Sequence, residues 1–175
     1  MGVAGSGKST VAALLADRLG WDLADGDEMH PGANVEKMAT GQPLDDQDRS
    51  PWLAQIAQWI REHVDAGRPG IVTCSALKAS YRDALRGPEV VFVHLTGSRD
   101  LIEHRLAARR GHYMPASLLE SQLATLEPPT PDENAVTVNI GASASDEVAE
   151  ILRLLGLDDE PNPPTASGPG DTVAG

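Results

Sequence analysis

The apolar residues of this chain follow two spacings, one typical of helices and one typical of buried strands. Between Lys8 and Leu19 they recur every three or four positions, and Gly20 follows as a natural helix end. The same spacing predicts further helices over residues 34–39, 51–66, 77–85, 101–109, 116–126 and 143–155. Short extended or β-branched runs predict strands over residues 21–25, 71–74, 90–95 and 136–138.

Strands that alternate with helices predict an α/β fold, a parallel sheet with helices on both faces and right-handed crossovers. Ser50 followed by Pro51 is interpreted as a helix start, and Ser143 with Asp146 as a capping box. From Gly156 onward the composition changes to Asp, Pro, Gly, Ser and Thr without periodicity. We therefore predict one domain over residues 1–155 and a disordered tail over residues 156–175.

Charge and composition exclude some classes of function. The 175 residues carry 14 Lys and Arg against 26 Asp and Glu, a formal net charge of −12, which argues against general binding of nucleic acids or anionic membranes. Cys74 is the single cysteine, so an internal disulfide is excluded. No apolar run approaches the roughly 20 residues of a membrane span, and no signal peptide precedes the first motif. The sequence thus predicts a soluble, cytoplasmic protein.

The first ten residues carry the clearest motif. Gly2, Gly7, Lys8 and Ser9 fit the spacing G-x-x-x-x-G-K-[ST] of a P-loop, in which backbone N–H groups and the lysine bind the phosphates of ATP and the serine hydroxyl serves Mg²⁺. The alternative is a Gly/Ser loop that happens to precede a helix. A P-loop normally follows a buried strand, and only Met1 precedes Gly2, so we expect the first central strand to be missing.

Acidic residues lie at the end of the predicted strand over residues 21–25. Because ligands bind at the carboxyl ends of parallel strands, Asp25 and Asp27 are candidates for the Mg²⁺ shell and for the base that accepts a proton from an attacking hydroxyl. The alternative for this pair is an ordinary acidic turn. His30 could donate to a substrate oxygen, or it could be a solvated loop histidine.

Several cations fall at other predicted strand ends. Lys78 and Arg82 share one helix face, and Arg49 precedes a helix among three acids, where its planar fork suits a carboxylate. For each, a solvated surface position is the alternative. Three arginines, Arg105, Arg109 and Arg110, precede a break at Gly111. They predict a lid over roughly residues 109–116, and the alternative is a solvated helix end.

Five ordered blocks, which run from Met1 to about Leu155, resemble the gluconokinases, small P-loop kinases of the shikimate-kinase type. The blocks are residues 2–10, Asp25-Gly26-Asp27-x-x-His30-Pro31-x-x-Asn34-x-x-Lys37-Met38, Gly41-x-Pro43-Leu44-x-Asp46-x-Asp48-Arg49-x-Pro51-Trp52-Leu53, Cys74-Ser75-Ala76-Leu77-Lys78-x-x-Tyr81-Arg82-Asp83, and Arg105-Leu106-x-x-Arg109-x-Gly111-His112. Family members carry an apolar strand before the P-loop. We therefore expect this chain to be a start-site truncation of a longer kinase.

The resemblance implies ATP-dependent phosphorylation of D-gluconate on its 6-hydroxyl, with Mg²⁺, in a chain that is often homodimeric. It implies that Lys8 and Asp27 are catalytic, with Asp27 as the base, and that Ser9 and Asp25 lie near the metal. The nucleotide would be held by Gly5, Ser6, Gly7, Lys8, Ser9, Thr10, Arg105 and Arg109. Gluconate would be held by Asp27, His30, Arg49, Lys78, Arg82 and His112, with Arg49 and Arg82 on its carboxylate. The alternatives are another small-molecule kinase such as shikimate kinase, a P-loop switch or binding module, or an inactive truncated relative.

Overall fold

The structure is a computed structural model that describes residues 1–108 and 116–158. Strands and helices alternate along these residues, as the sequence predicts. The helices are α1 (Lys8–Leu19), α2 (Gly32–Ala39), α3 (Asp46–Asp65), α4 (Ala79–Leu85), α5 (Arg99–Ala107), α6 (Ala116–Thr125) and α7 (Ala144–Leu155). The strands are β1 (Asp22–Asp25), β2 (Gly70–Thr73), β3 (Phe92–Thr96) and β4 (Ala135–Asn139), and a 3₁₀ turn covers Gly26–Met29.

The strands form two parallel pairs. β1 pairs with β2, with Asp25 opposite Thr73, and β3 pairs with β4. The predicted α/β fold with parallel strands is confirmed, although the sheet is divided between β2 and β3.

Met1 and Gly2 connect the two pairs. The Gly2 N–H donates to the Ser75 carbonyl at 3.1 Å, and the Leu95 N–H donates to the Met1 carbonyl at 3.0 Å. The Met1 amine donates to the Val93 carbonyl, and burial lowers the pKa of this amine to about 5. Beside these residues, a largely apolar cavity of about 620 Å³ lies between α1, β2 and β3.

Two apolar clusters cover opposite faces of the strands. Ile71 and Val93 pack against the cluster of α1, α5 and α7, whereas Val72 and Phe92 pack against the cluster of α3 and α4. Since neighbouring residues of a strand point to opposite faces, the helices form one layer on each side. Of the helices described, none is both long enough and apolar enough to cross a membrane.

The N-terminal caps of α7 and α3 differ in how well they match the prediction. At α7 the Ser143 hydroxyl accepts from the Asp146 N–H at 3.2 Å, which is one half of the predicted capping box, and it donates to the Asp146 carboxylate at 2.6 Å. The predicted start of α3 at Ser50 is wrong, because the helix begins at Asp46. Asp45 caps it in a reciprocal box, in which its carboxylate accepts from the Asp48 N–H and the Asp48 carboxylate accepts from the Asp45 N–H. Pro51 lies inside the helix.

Candidate active site

The phosphate loop, residues 2–7, joins the start of the chain to α1. Gly5 and Gly7 have φ values of 80° and 92°, a left-handed conformation that favours glycine. A Cβ on Gly5 would also lie 2.7 Å from Leu106 of α5, so the loop packs directly against that helix. The Lys8 ammonium folds back over the loop and donates to the carbonyls of Gly2 and Val3, both at 3.0 Å.

Side chains of the loop and of the first turn of α1 fit a phosphate ligand. The Ser6 hydroxyl is fully buried and has no hydrogen-bond partner within the described part of the chain. A buried hydroxyl without a partner in the protein can donate to an oxygen of a bound ligand. Ser9 and Thr10 are exposed at the N-terminal turn of α1, whose dipole favours an anion.

The acidic turn, residues 25–27, follows β1. The Asp25 carboxylate accepts from the Asp27 N–H at 3.0 Å and from the Thr73 hydroxyl at 2.8 Å, which fixes its orientation. The Trp52 indole N–H donates to the Gly26 carbonyl at 2.6 Å. A Cβ on Gly26 would lie 2.1 Å from the Thr73 carbonyl oxygen, so only glycine fits between the two aspartates. Asp27 itself is exposed.

Cys74 links the acidic turn to the phosphate loop. Burial raises the pKa of its thiol to about 11. Cys74 lies between Thr73, whose hydroxyl donates to Asp25 at 2.8 Å, and Ser75, whose carbonyl accepts from the Gly2 N–H at 3.1 Å. The segment that follows β2 thus joins the acidic turn to the phosphate loop.

His30 stands on a fixed platform next to the acidic turn. Its ring stacks on Trp52 with a centroid separation of 4.4 Å and an interplanar angle of 10°. Its Nδ1 lies 3.4 Å from the amide nitrogen of Asn34, which donates to the Asp48 carbonyl at 2.7 Å. Burial lowers the pKa of His30. Asp27 raises this pKa and Arg49 lowers it, and both effects are smaller than that of burial. The imidazole is therefore neutral at pH 7 and can donate or accept a hydrogen bond.

A cation cluster, which we define as Asp46, Arg49, Lys78 and Tyr81, joins α3 to α4. The Tyr81 hydroxyl donates to Asp46 and accepts from Arg49 at 3.1 Å. Lys78 donates to both Asp46 oxygens at 2.8 Å, and these bonds from Lys78 and Tyr81 lower the pKa of Asp46. Arg49 and Lys78 lie 5.7 and 5.4 Å from the Tyr81 ring centre. The tyrosine thus holds two of the predicted substrate cations together.

Arg82 does not join this cluster. Its side chain is 1% exposed, and it pairs through Nε and Nη2 with Glu133 at 2.5 and 2.8 Å. Its Nη1 donates to the carbonyls of Ala76 at 3.1 Å and Glu127 at 2.9 Å. The guanidinium lowers the pKa of Glu133 to about 2. This geometry favours a structural role over the predicted contact with a substrate carboxylate.

Arg105, a predicted nucleotide contact, lies beside the phosphate loop. A Cβ on Gly7 would be 3.3 Å from its Nη1. Its Nη2 donates to the Ile140 carbonyl at 2.6 Å and to Glu147 at 3.2 Å. Three other predicted residues, Arg109, Arg110 and His112, lie outside the described residues, as do most of the predicted lid over 109–116 and the predicted tail from 159 onward.

Within residues 1–108 and 116–158, no group of three or more His, Cys, Asp or Glu side chains could hold a metal ion by itself. A Mg²⁺ ion that is bound by one or two side chains and by substrate phosphates needs no such group. Ser9 and Asp25 offer a hydroxyl and an oriented carboxylate for this arrangement.

Sequence reasoning gave no functional role to four residues that the structure places around the site. Tyr81, Trp52 and Thr73 orient the predicted groups. Glu147 had a detectable signal, because its spacing of four from Ile151 places a charge on the apolar face of α7. The partners of the other three lie far away in sequence and left no local pattern.

Comparison with known proteins places these features in one family. A family model described as an AAA domain matches residues 1–129, which include the phosphate loop, the acidic turn and the cation cluster. The chain is 56% identical over 154 residues to a gluconokinase of Gluconobacter oxydans, covering 87% of this chain and 86% of that protein. It is similar to the structure of a sugar kinase from Janibacter sp., with a TM-score of 0.84, 45% identity and coverage of 90% and 92%. It is also similar to a gluconokinase structure from Sinorhizobium meliloti, with a TM-score of 0.78, 43% identity and 89% coverage of each chain.

Proposed function

The chain belongs to the gluconokinase family, and we propose that its phosphate loop and acidic turn together transfer the γ-phosphoryl group of ATP to the 6-hydroxyl of D-gluconate. As a member of this family it is a kinase that phosphorylates gluconate. The observation that carries the proposal is the pair of hydrogen bonds by which residues 73–75 join the acidic turn to the phosphate loop, from the Thr73 hydroxyl to Asp25 and from the Gly2 N–H to the Ser75 carbonyl. It supports a phosphate ligand and a proton acceptor within one site.

ATP is held by the phosphate loop and the start of α1. Backbone N–H groups of the loop and the Ser6 hydroxyl donate to phosphate oxygens, and Lys8 carries the matching positive charge. On binding, the Lys8 ammonium turns from the Gly2 and Val3 carbonyls toward the phosphates. Mg²⁺, held by Ser9 and Asp25, would neutralise charge that develops on the phosphates.

Asp27 acts as the base for the acceptor hydroxyl. As the bond between the 6-oxygen of gluconate and the γ-phosphorus forms, the bond from that phosphorus to the ADP oxygen breaks, and the hydroxyl proton passes to the Asp27 carboxylate. Asp25 cannot take this role equally well, because its Oδ1 already accepts two hydrogen bonds.

The cation cluster binds the carboxylate of gluconate. Arg49 offers a planar fork and Lys78 a second positive charge, and Tyr81 fixes both. The neutral His30 ring, which is stacked on Trp52, donates to a sugar hydroxyl. The site therefore selects a substrate whose acid group reaches the cation cluster while its terminal hydroxyl reaches Asp27.

A substrate panel tests the proposal. Coupled assays of ADP release would compare D-gluconate, shikimate, D-glucose and water as acceptors under the same conditions. We expect gluconate to give the highest kcat/KM. A preference for shikimate would point to a different substrate class, and ADP release without any acceptor would point to an ATPase.

The oligomeric state is a separate part of the proposal. The resemblance to this family implies a homodimer, and multi-angle light scattering would measure the mass directly. A mass near twice 18.5 kDa is expected, whereas a mass near 18.5 kDa would show a monomer.

A further inference from the structure

Glu147 is a buried carboxylate that the proposed reaction does not use. Its side chain is 1% exposed in α7, next to the apolar residues Val148 and Ile151. Glutamates are rarely buried to this degree unless they are paired. The ion pair found for Glu147 within the described residues is with Arg105, whose Nη2 lies 3.2 Å from its Oε1.

Arg105 reaches from this ion pair to the phosphate loop. Its Nη2 donates to Glu147 of α7 and, at 2.6 Å, to the Ile140 carbonyl, which directly follows β4. Its Nη1 is the atom that a Cβ on Gly7 would approach to 3.3 Å. Because a guanidinium is planar and rigid, fixing Nη2 also fixes the direction of Nη1.

We propose that Glu147 is a positioning residue for the nucleoside triphosphate, which acts by holding Arg105 against the phosphate loop. The inference rests on the proposed function, since it assumes that the loop binds the triphosphate. The side chain of Arg105 is 31% exposed, so without Glu147 it has room to swing into solvent. Loss of Glu147 therefore weakens binding of the nucleotide and leaves binding of the acid substrate unchanged.

Two variants separate this role from simple packing. Glu147→Gln removes the charge and keeps the shape, and Glu147→Leu removes the acceptor while suiting the apolar face of α7. Glu150→Gln is the matched control on the same helix, because Glu150 is half exposed and pairs only at 3.8 Å with Arg153. Isothermal titration with a non-hydrolysable ATP analogue and Mg²⁺ would give Kd, and steady-state assays would give KM for both substrates.

We expect each Glu147 variant to raise the Kd of the analogue by about tenfold, with the gluconate KM within about twofold of the original. The Glu150 variant should change neither value. Unchanged analogue binding in both variants would overturn the proposal, as would equal losses for both substrates. If the original chain binds the analogue but does not phosphorylate gluconate, the proposed function fails and the role of Glu147 can still be measured.

Arg105→Lys supplies an independent test if the Glu147 variants do not fold by circular dichroism. Lysine keeps the positive charge and loses the planar fork that joins Glu147 to the loop. The same selective loss of analogue affinity is expected. An analogue Kd equal to that of the original chain would contradict the proposal.

Discussion

The indole nitrogen of Trp52 lies 2.6 Å from the carbonyl oxygen of Gly26, the residue that separates Asp25 from Asp27. The same indole ring forms the stacking surface for His30. One buried side chain of α3 thus fixes both the predicted base and a predicted substrate ligand. The acidic turn is held in place from outside its own segment.

Replacing Trp52 by phenylalanine should slow turnover. The Trp52→Phe variant keeps an aromatic surface for His30 but leaves the Gly26 carbonyl without its donor, a loss of about 1–3 kcal/mol. We expect kcat to fall by about tenfold, because the position of Asp27 depends on this bond. Trp59→Phe is the control, since Trp59 stacks on His63 instead. Equal kcat values for the Trp52 variant and the original chain would show that the turn is held by other contacts.

Replacing Asp27 by asparagine should remove the base. The amide of Asp27→Asn keeps the shape of the side chain and cannot accept the proton, so kcat should fall by about 100-fold or more. Steady-state kinetics would measure this, with the exposed neighbour Glu28→Gln as the control. A decrease of less than about threefold would assign the base to another group.

Substitutions of Arg49 and Arg82 should have different effects on the gluconate KM and on stability. Arg49→Ala should raise the gluconate KM by about tenfold or more, because it removes a charged donor from the substrate carboxylate. Arg82→Lys should leave this KM nearly unchanged and lower stability, since the buried guanidinium donates to Glu133 and to the carbonyls of Ala76 and Glu127. Arg61→Ala, an exposed change on the same helix as Arg49, controls for surface charge. An increased gluconate KM in the Arg82 variant alone would reverse the assignment.

Glu133 should make stability depend on pH in the acid range. Its pKa is about 2 in the folded protein against an ordinary value of 4.5, so its stabilising effect is complete above pH 4.5 and disappears as the pH falls toward 2. The Glu133→Gln variant leaves Arg82 buried without a charged partner, which we expect to cost about 3 kcal/mol at pH 7. Urea unfolding at pH 7 and pH 3 would show the difference between the two chains shrink at low pH. A difference that stays constant with pH would contradict the ion-pair account.

Local patterns predicted most of the elements and part of the site. The P-loop spacing and the Ser143–Asp146 pair depend on residues that are close in sequence. Helix α1 begins at Lys8, directly after the loop, and the Ser143 hydroxyl accepts from the Asp146 N–H. The start of α3 was harder, because Ser50-Pro51 and Asp45 with Asp48 are both plausible caps and only the latter pair bonds reciprocally.

The roles that the sequence did not predict depend on partners that are distant along the chain. Lys78 is the N-cap of the helix that contains Arg82, and the spacing of the two residues alone suggested a role for Arg82 at the substrate. Its role depends on Glu133, 51 residues further along the chain. Tyr81 likewise acquires its role only when folding brings Arg49 and Asp46 to its hydroxyl. No periodicity in the sequence records these pairings.

The position of the new phosphate on gluconate tests the central claim most directly. Proton-coupled ³¹P NMR of the product distinguishes a phosphate on a primary hydroxyl, which couples to two protons as a triplet, from one on a secondary hydroxyl, which gives a doublet. We predict a triplet that appears with ADP in equal amount and is lost with Asp27→Asn. A doublet, or inorganic phosphate in place of an ester, would contradict the assignment of this site to transfer onto the 6-hydroxyl.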